Sequence, residues 1–301
     1  MERIKLSNTI HLSRIIYGMW RLVNDQDISK KHVSKKVNLC LDQGITTFDQ
    51  AAVYGLYSAE SLFGEVLKST PSLRHKIEII SKCGIVNPSN RYSNARVSYY
   101  DTSKEHIFSS VDASLSNMGT DYLDLLLIHR QDPYMDHFET GRALDELVSL
   151  GKVKQVGVSN FKPWDFSLLQ SNMKSKLVTN QIEMSLAATD AFTNGDLAFH
   201  QEQNTSIMAW SPLGGGSIIK HQGPLGRALD KIAHSQNVDR AAVAVAWILS
   251  HPAKILPIVG TNNLNRIAMI ADAIKVNMDR QSWFELYTAS FNTDGESWRL
   301  P

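Results

Sequence analysis

Short apolar runs alternate along this chain with longer stretches in which apolar residues recur every three or four positions. The runs read as strands buried on both faces, and the recurrence reads as helices with one buried stripe. Residues 1–14 alternate polar and apolar residues, as in Arg3-Ile-Lys-Leu and Ile10-His-Leu, and predict a short hairpin. Ile15–Gly18 predicts the first main strand. Ile28–Gln43 predicts a helix with Val33, Val37, Cys40 and Leu41 on its apolar side, stopped by Gly44. Thr46–Asp49 is the next strand, and Ser58–Lys68 the next helix.

The unit then repeats. Strands over Ile77–Ser81, Leu123–Ile128, Val153–Val158, Leu177–Asn180, Ser206–Ala209 and Ile255–Val259 alternate with helices. The helices span Ser103–Met118, Phe138–Leu150, Pro163–Gln170, Asp196–Gln203, Pro224–Gln236 and Asp239–Leu249. Leu264–Ile274 and Arg280–Phe291 close the chain as helices, and residues 83–103 form a long polar loop. Eight strands alternating with helices imply a parallel sheet, and units of this length suit a (β/α)8 TIM barrel of α/β class. A doubly wound sheet is the rival. It wants a glycine-rich turn after the first strand, and Gly18-Met-Trp-Arg lacks one. The pattern shows no linker, so one domain is expected over 1–301, with the hairpin before the barrel and an extra helix after it.

The 301 residues carry a formal net charge of +1 and are 43% hydrophobic. That balance offers no general attraction to nucleic acid or an anionic membrane. Two cysteines, Cys40 and Cys83, allow at most one bridge and point to a reducing interior. No apolar run of about 18 residues is present, and the N-terminus lacks a signal peptide's apolar stretch. A cytoplasmic protein, monomeric or weakly oligomeric, is expected.

In such a barrel the working groups sit at the C-terminal ends of strands. That rule collects Asp49, Tyr54 on the following loop, Lys82, His129, Asn160, Gln181 and Trp210. Taken singly, Lys82 could be a solvated lysine and His129 a structural histidine. Together, acid, phenol, ammonium and imidazole form a proton-transfer device. A phenol of pKa roughly 10 is a poor acid at neutral pH, and a nearby ammonium lowers that value. A carboxylate keeps the lysine charged, and an imidazole orients a carbonyl oxygen. Such a group suits proton delivery to an oxygen becoming an alkoxide, with a hydride from elsewhere.

Several motifs in order resemble the aldo-keto reductase family: Thr47-Phe-Asp-Gln-Ala-Ala-Val-Tyr-Gly55, Ile80-Ser-Lys82, Leu126-Leu-Ile-His129, Gly157-Val-Ser-Asn-Phe161, Asn180-Gln-Ile-Glu183 and Trp210-Ser-Pro-Leu-Gly214. Gly18-Met-Trp-Arg-Leu22 and the glycine run are similar to a bacterial branch of predicted oxidoreductases. The resemblance implies NADP(H)-dependent reduction of small aldehydes or ketones. It implies Tyr54 as general acid, tuned by Lys82 and Asp49, with His129 positioning the carbonyl. Ser159, Asn160 and Gln181 would hold the nicotinamide carboxamide, and Trp210 would stack under its ring. Ser211, Pro212, Leu213 and Gly214-Gly215-Gly216 would lie along the pyrophosphate, and Thr261 and Arg266 would meet the adenosine end.

The chain departs from the family pattern after the last strand. Gly260-Thr261 stands where a basic residue and Ser or Thr are common, and Met269 and Ile270 replace an acid and an amide. This leaves NAD(H) open as cofactor. Trp20 either walls the substrate pocket or packs on its rim. Tyr92, Tyr99 and Tyr100 either line the pocket or anchor their loop. Arg130 either meets an anionic substrate or pairs with Asp132. His129 and His137 lack the spacing of a metal-ligand set. Two further functions use the same residues: a Schiff-base lyase with Lys82 as nucleophile, and a non-catalytic nucleotide-sensing barrel.

Overall fold

The computed structural model describes residues 1–291. β1 (Arg3–Lys5) and β2 (His11–Ser13) pair antiparallel, with Ile4 opposite Leu12. The chain continues through β3 (Ile16–Gly18), α1 (Lys30–Asp42), β4 (Thr47–Asp49), α2 (Ala59–Ser69), β5 (Glu78–Cys83), β6 (Ile85–Val86), β7 (Tyr99–Tyr100) and α3 (Lys104–Met118). Then come β8 (Leu123–Ile128), α4 (His137–Ser149), β9 (Val153–Ser159), α5 (Pro163–Ser171), β10 (Leu177–Glu183) and α6 (Asp196–Glu202). β11 (Ser206–Trp210), α7 (Pro224–Gln236), α8 (Arg240–Leu249), β12 (Leu256–Val259), α9 (Leu264–Ile267) and α10 (Arg280–Phe291) follow.

β3, β4, β5, β8, β9, β10, β11 and β12 close into a parallel barrel in that order. Closure is made where Ile258 and Val259 of β12 meet Ile16 and Tyr17 of β3. Every residue of β8 is buried, as a strand covered on both faces must be. Alternate residues divide between two cores. Ile16, Ile80, Leu125, Leu127, Met208, Leu256 and Ile258 fill the barrel interior, where Ile4, Ile10 and Leu12 of the N-terminal hairpin join them. Phe48, Ile79, Leu126 and Ile128 point outward to the helices. The hairpin therefore plugs one end of the barrel and leaves the other to the strand ends.

Local chemistry sets the helix boundaries. Ser29, Ser103, Asp136 and Asp239 accept backbone N–H bonds at the starts of α1, α3, α4 and α8. The helix expected from Ile28 accordingly begins at Lys30, after its cap. The loop expected over 83–103 contains the antiparallel pair β6–β7, with Ile85 opposite Tyr100. The helix expected over Leu264–Ile274 is a larger departure: α9 stops at Ile267 and a 3₁₀ turn follows over Ile270–Ile274. The cause is Gln43. Its Nε2 donates to the Ile267 carbonyl at 2.7 Å, and its Oε1 accepts from Ala271 N–H at 2.9 Å. Those two groups would otherwise bond each other as one step of a continuous helix. The expectation of one domain over 1–301 extends to residues 292–301, outside the described residues.

Gly64 marks where α2 meets α3. A methyl group there would lie 2.0 Å from the Asn117 carbonyl oxygen and 2.8 Å from Met118 Cα. Alanine is the better helix former by about 1 kcal/mol, but forced overpacking costs typically about 1–3 kcal/mol, occasionally more. Gly64→Ala is therefore expected to destabilise the fold by up to about 2 kcal/mol net. Urea unfolding checks this, and a variant as stable as the parent would mean that the helices separate freely.

Candidate active site

Lys82 is the inward residue near the end of β5, and its side chain is 0% exposed. Its ammonium donates to Asp49 Oδ2 at 2.7 Å, to the Gln50 carbonyl at 2.8 Å and to Tyr54 Oη at 3.0 Å. Three acceptors match the three N–H groups of an ammonium. Burial opposes the charge, but Asp49 and Tyr54 outweigh it and raise the Lys82 pKa above its ordinary value. Asp49 closes β4, and its second oxygen accepts from Gln181 Nε2 on β10 at 2.9 Å.

Tyr54 is held by an unusual turn. Gly55, Leu56 and Tyr57 have φ of 58°, 49° and 73°, three left-handed residues in succession. A Cβ at Gly55 would fall 2.5 Å from Val23 Cγ1. Leu56 and Tyr57 have no such excuse, and strain of this kind persists only where surrounding contacts determine it. Tyr57 supplies those contacts: its hydroxyl accepts from Asn87 N–H at 2.8 Å and donates to the Ile85 carbonyl at 3.4 Å. The turn leaves Tyr54 half-buried, with its ring edge-on to His129 at 5.8 Å between centroids.

The electrostatics divide the roles. Burial pushes the Tyr54 phenol above its ordinary pKa; Lys82 pulls it down and Asp49 pushes it up. The Lys82 effect has the expected sign, but the net direction does not, because desolvation is the larger influence. Burial, then Lys82, then Arg130 hold His129 well below its ordinary value. At neutral pH the site therefore presents a protonated phenol, an ammonium and a neutral imidazole.

A second network lies beside the first. Ser159 Oγ donates to the Gln181 carbonyl at 2.8 Å. Asn160, at φ 62°, donates through Nδ2 to the His129 carbonyl at 3.2 Å and to Ser159 Oγ at 2.8 Å. Its Oδ1 accepts from Trp210 Nε1 at 2.9 Å, which fixes the indole plane. Ser211 follows at φ 51°, and Pro212 and Leu213 lead into Gly214, Gly215 and Gly216 at φ 55°, 66° and 104°. A Cβ at Gly216 would meet nothing within 4 Å, and one at Gly215 only Arg21 Nη2 at 3.8 Å.

The model of the Aldo/keto reductase family matches residues 14–289. The chain belongs to the aldo/keto reductase family. It is 61% identical to a 6-dehydroglucose reductase of Agrobacterium fabrum, across 98% of this chain and 99% of that one. It is 41% identical to the uncharacterized oxidoreductase YcsN of Bacillus subtilis, across 96% and 98%. A thermostable aldo-keto reductase solved with the inhibitor epalrestat superposes with a TM-score of 0.81, covering 96% of this chain and 100% of that one at 23% identity. That last likeness is one of fold.

In this member of the family the remaining candidates fall out as follows. Thr261 lies in the last strand-to-helix loop, where its carbonyl accepts from Tyr17 Oη at 2.7 Å. Arg266 is exposed on the single turn of α9, so little helix stands behind it to share an anion. Trp20 is 59% exposed, with Arg21 over its ring at 5.3 Å. Tyr92 anchors its loop against Tyr57 and His106, while Tyr99 and Tyr100 are exposed on β7. Asp132 does not pair with Arg130: it accepts from Thr102 Oγ1 at 2.9 Å and Tyr134 N–H at 2.8 Å. His137 opens α4 and joins no cluster. Among the described residues no group of His, Cys, Asp and Glu could hold a metal, and no helix is long and apolar enough to cross a membrane.

Sequence reasoning missed Lys36. Its side chain is 0% exposed, and its ammonium bonds Asp25 and Asn262 Oδ1, the latter at 2.9 Å. Asn262 Nδ2 donates to the Arg21 carbonyl at 2.6 Å, so the first and last barrel loops are stitched together through α1. The signal was its spacing, three residues after buried Val33 and before buried Val37.

Behind Asn160, the Asn180 amide lies 2.9 Å from His200 Nε2 and donates to the Phe161 carbonyl at 2.8 Å. Burial pushes His200 down to about 4. An unfolded histidine titrates near roughly 6.5, so the unfolded chain takes up this proton first as pH falls. The contribution is therefore complete above about pH 6.5 and is lost towards about pH 4, at about 1.4 kcal/mol per pH unit within the window. His200→Gln should lower stability at neutral pH and flatten this slope. Denaturant unfolding at several pH values checks it, and parallel curves for parent and variant would refute the assignment.

Proposed function

We propose that this chain reduces aldehydes or ketones to alcohols, with a nicotinamide hydride and a proton from Tyr54. The observation that carries the reading is the Lys82 ammonium bonded to both Asp49 and the Tyr54 hydroxyl, beside a neutral His129. A protonated phenol is the required form of a general acid, and the ammonium stabilises the phenolate left after transfer. Asp49 keeps Lys82 charged and placed. Neutral His129 can offer an N–H to a carbonyl oxygen without adding a second cation beside Lys82. The Schiff-base alternative needs an uncharged lysine, and the three acceptors around Lys82 hold it as the ammonium.

The residues present fit a dinucleotide. Open left-handed backbone at Gly215 and Gly216 offers space against a pyrophosphate, and anchored Trp210 offers a ring face. Ser159, Asn160 and Gln181 would hold the carboxamide, and Thr261 and Arg266 the adenosine end. When bound, the cofactor supplies the hydride. We read it as NADP(H) over NAD(H) by a modest margin, since Arg266 can meet a 2′-phosphate with its planar fork. The family's usual lysine is absent, and the one-turn α9 adds little. The name of the Agrobacterium relative, at 61% identity, supports a sugar aldehyde as substrate. The free, buried thiols of Cys40 and Cys83 suit a cytoplasmic setting, and we take the chain as one domain acting as monomer or weak oligomer.

Tyr54→Phe is expected to keep cofactor affinity and lose roughly 10²–10⁴-fold in turnover, the worth of general acid catalysis. Rapid-mixing kinetics with an aldehyde panel measures it, and unimpaired turnover would sink the assignment.

Arg266→Ala is expected to weaken NADPH binding roughly tenfold or more, the worth of a hydrogen bond to a charged group, and to leave NADH nearly unchanged. Quenching of tryptophan fluorescence by each cofactor reports this. Equal losses for both would remove Arg266 from 2′-phosphate recognition.

A further inference from the structure

Arg130 stands at the mouth of the site without a role in the chemistry above. It follows His129, is half-buried, and its guanidinium lies over the Trp210 ring at 5.7 Å. Trp210 is itself fixed by Asn160, so the ring that orients the guanidinium is anchored. The nearby acid in the sequence, Asp132, is taken by Thr102 and Tyr134. Among the described residues Arg130 therefore keeps its five N–H donors uncommitted, beside the imidazole proposed to orient the carbonyl. Its place just past the end of β8 and over Trp210 at the end of β11 puts it at the barrel mouth with Tyr54 and His129.

Taking the carbonyl-reduction reading as given, we propose that Arg130 is a substrate-recognition residue that takes hydroxyl oxygens near the carbonyl, making polyhydroxylated aldehydes the preferred class. The guanidinium fork presents parallel N–H groups, which suit two neighbouring oxygens. A carboxylate would satisfy the same fork. Reduction, however, develops negative charge on the carbonyl oxygen a few ångströms away, and a carboxylate held beside it would repel that charge. Neutral hydroxyls accept from Arg130 without this cost. Exposed Trp20, on the loop after β3 at the same end of the barrel, offers an apolar face to the C–H side of such a molecule.

The test compares D-glyceraldehyde, butanal and succinate semialdehyde, with reduction followed by nicotinamide absorbance. Wild type is set against Arg130→Met, which keeps the stem, and Arg130→Gln, in case the first fails to fold. Fluorescence titration of each variant with cofactor checks the binding groove separately. The kcat/KM ratio of D-glyceraldehyde to butanal should fall roughly tenfold or more in the variants. An unchanged ratio overturns the proposal. A fall confined to the ratio of succinate semialdehyde to butanal also overturns it, by making the recognised group a carboxylate. Wild type that reduces none of the three would instead bring down the carbonyl-reduction reading beneath it.

Discussion

The structure depends on keeping one ammonium in a dry place. The Lys82 side chain is fully buried, and an isolated buried charge of this kind would neutralise or open the fold. Three acceptors prevent that, and each fixes something else. Asp49 must end β4 at the level of Ile80 on β5, which the parallel register provides. The Gln50 carbonyl ties the strand's continuation. The Tyr54 hydroxyl requires the following turn to double back within four residues of Gln50. The constraint crosses the barrel as well, since Asp49 is held from the far side by Gln181. Ionic, steric and topological demands thus meet at one nitrogen atom.

The periphery is organised to keep that centre in place. Left-handed backbone at Leu56 and Tyr57 is a standing cost, and the Tyr57 hydroxyl offsets it by bonding the root of the β5–α3 loop. On the other side, Lys36 joins the loops that follow β3 and β12 through Asn262. The buried ammonium ions of Lys82 and Lys36 differ in what surrounds them. One faces Asp49 and the Tyr54 hydroxyl at the strand ends, and the other is walled in behind the loops it connects.

Much of this was legible in the sequence. Apolar runs ending in Asp49, Lys82, His129 and Gln181 marked both the barrel and the side chains gathered at its mouth, because strand periodicity is local and each run ends at a charged or polar group. Interactions that replace a local rule were not legible. Leu264–Ile274 has helical composition throughout, and only Gln43, distant in sequence, breaks it by taking both partners of one helical bond. Lys36 was passed over because a lysine on an apolar stripe usually reaches water, whereas here Asp25 and Asn262 close over it. The phenol's net shift was misjudged for a related reason. Sequence names the neighbouring charge but not the depth of burial, and at Tyr54 burial is the larger influence.

The double attachment of the last loop to α1 bears on how this barrel could be re-engineered. Gln43 grips the segment after α9, and Lys36 grips Asn262 before it. A loop placed in positions 260–271 without an asparagine at 262 would leave Lys36 uncovered, and one that ran on as unbroken helix would have no free groups for Gln43. Lys36 would then be left with Asp25 alone, and the half-buried Gln43 amide would keep only the Leu39 carbonyl as a partner. The exchangeable module is therefore not the loop but the loop together with the first helix, two pieces more than two hundred residues apart in the chain.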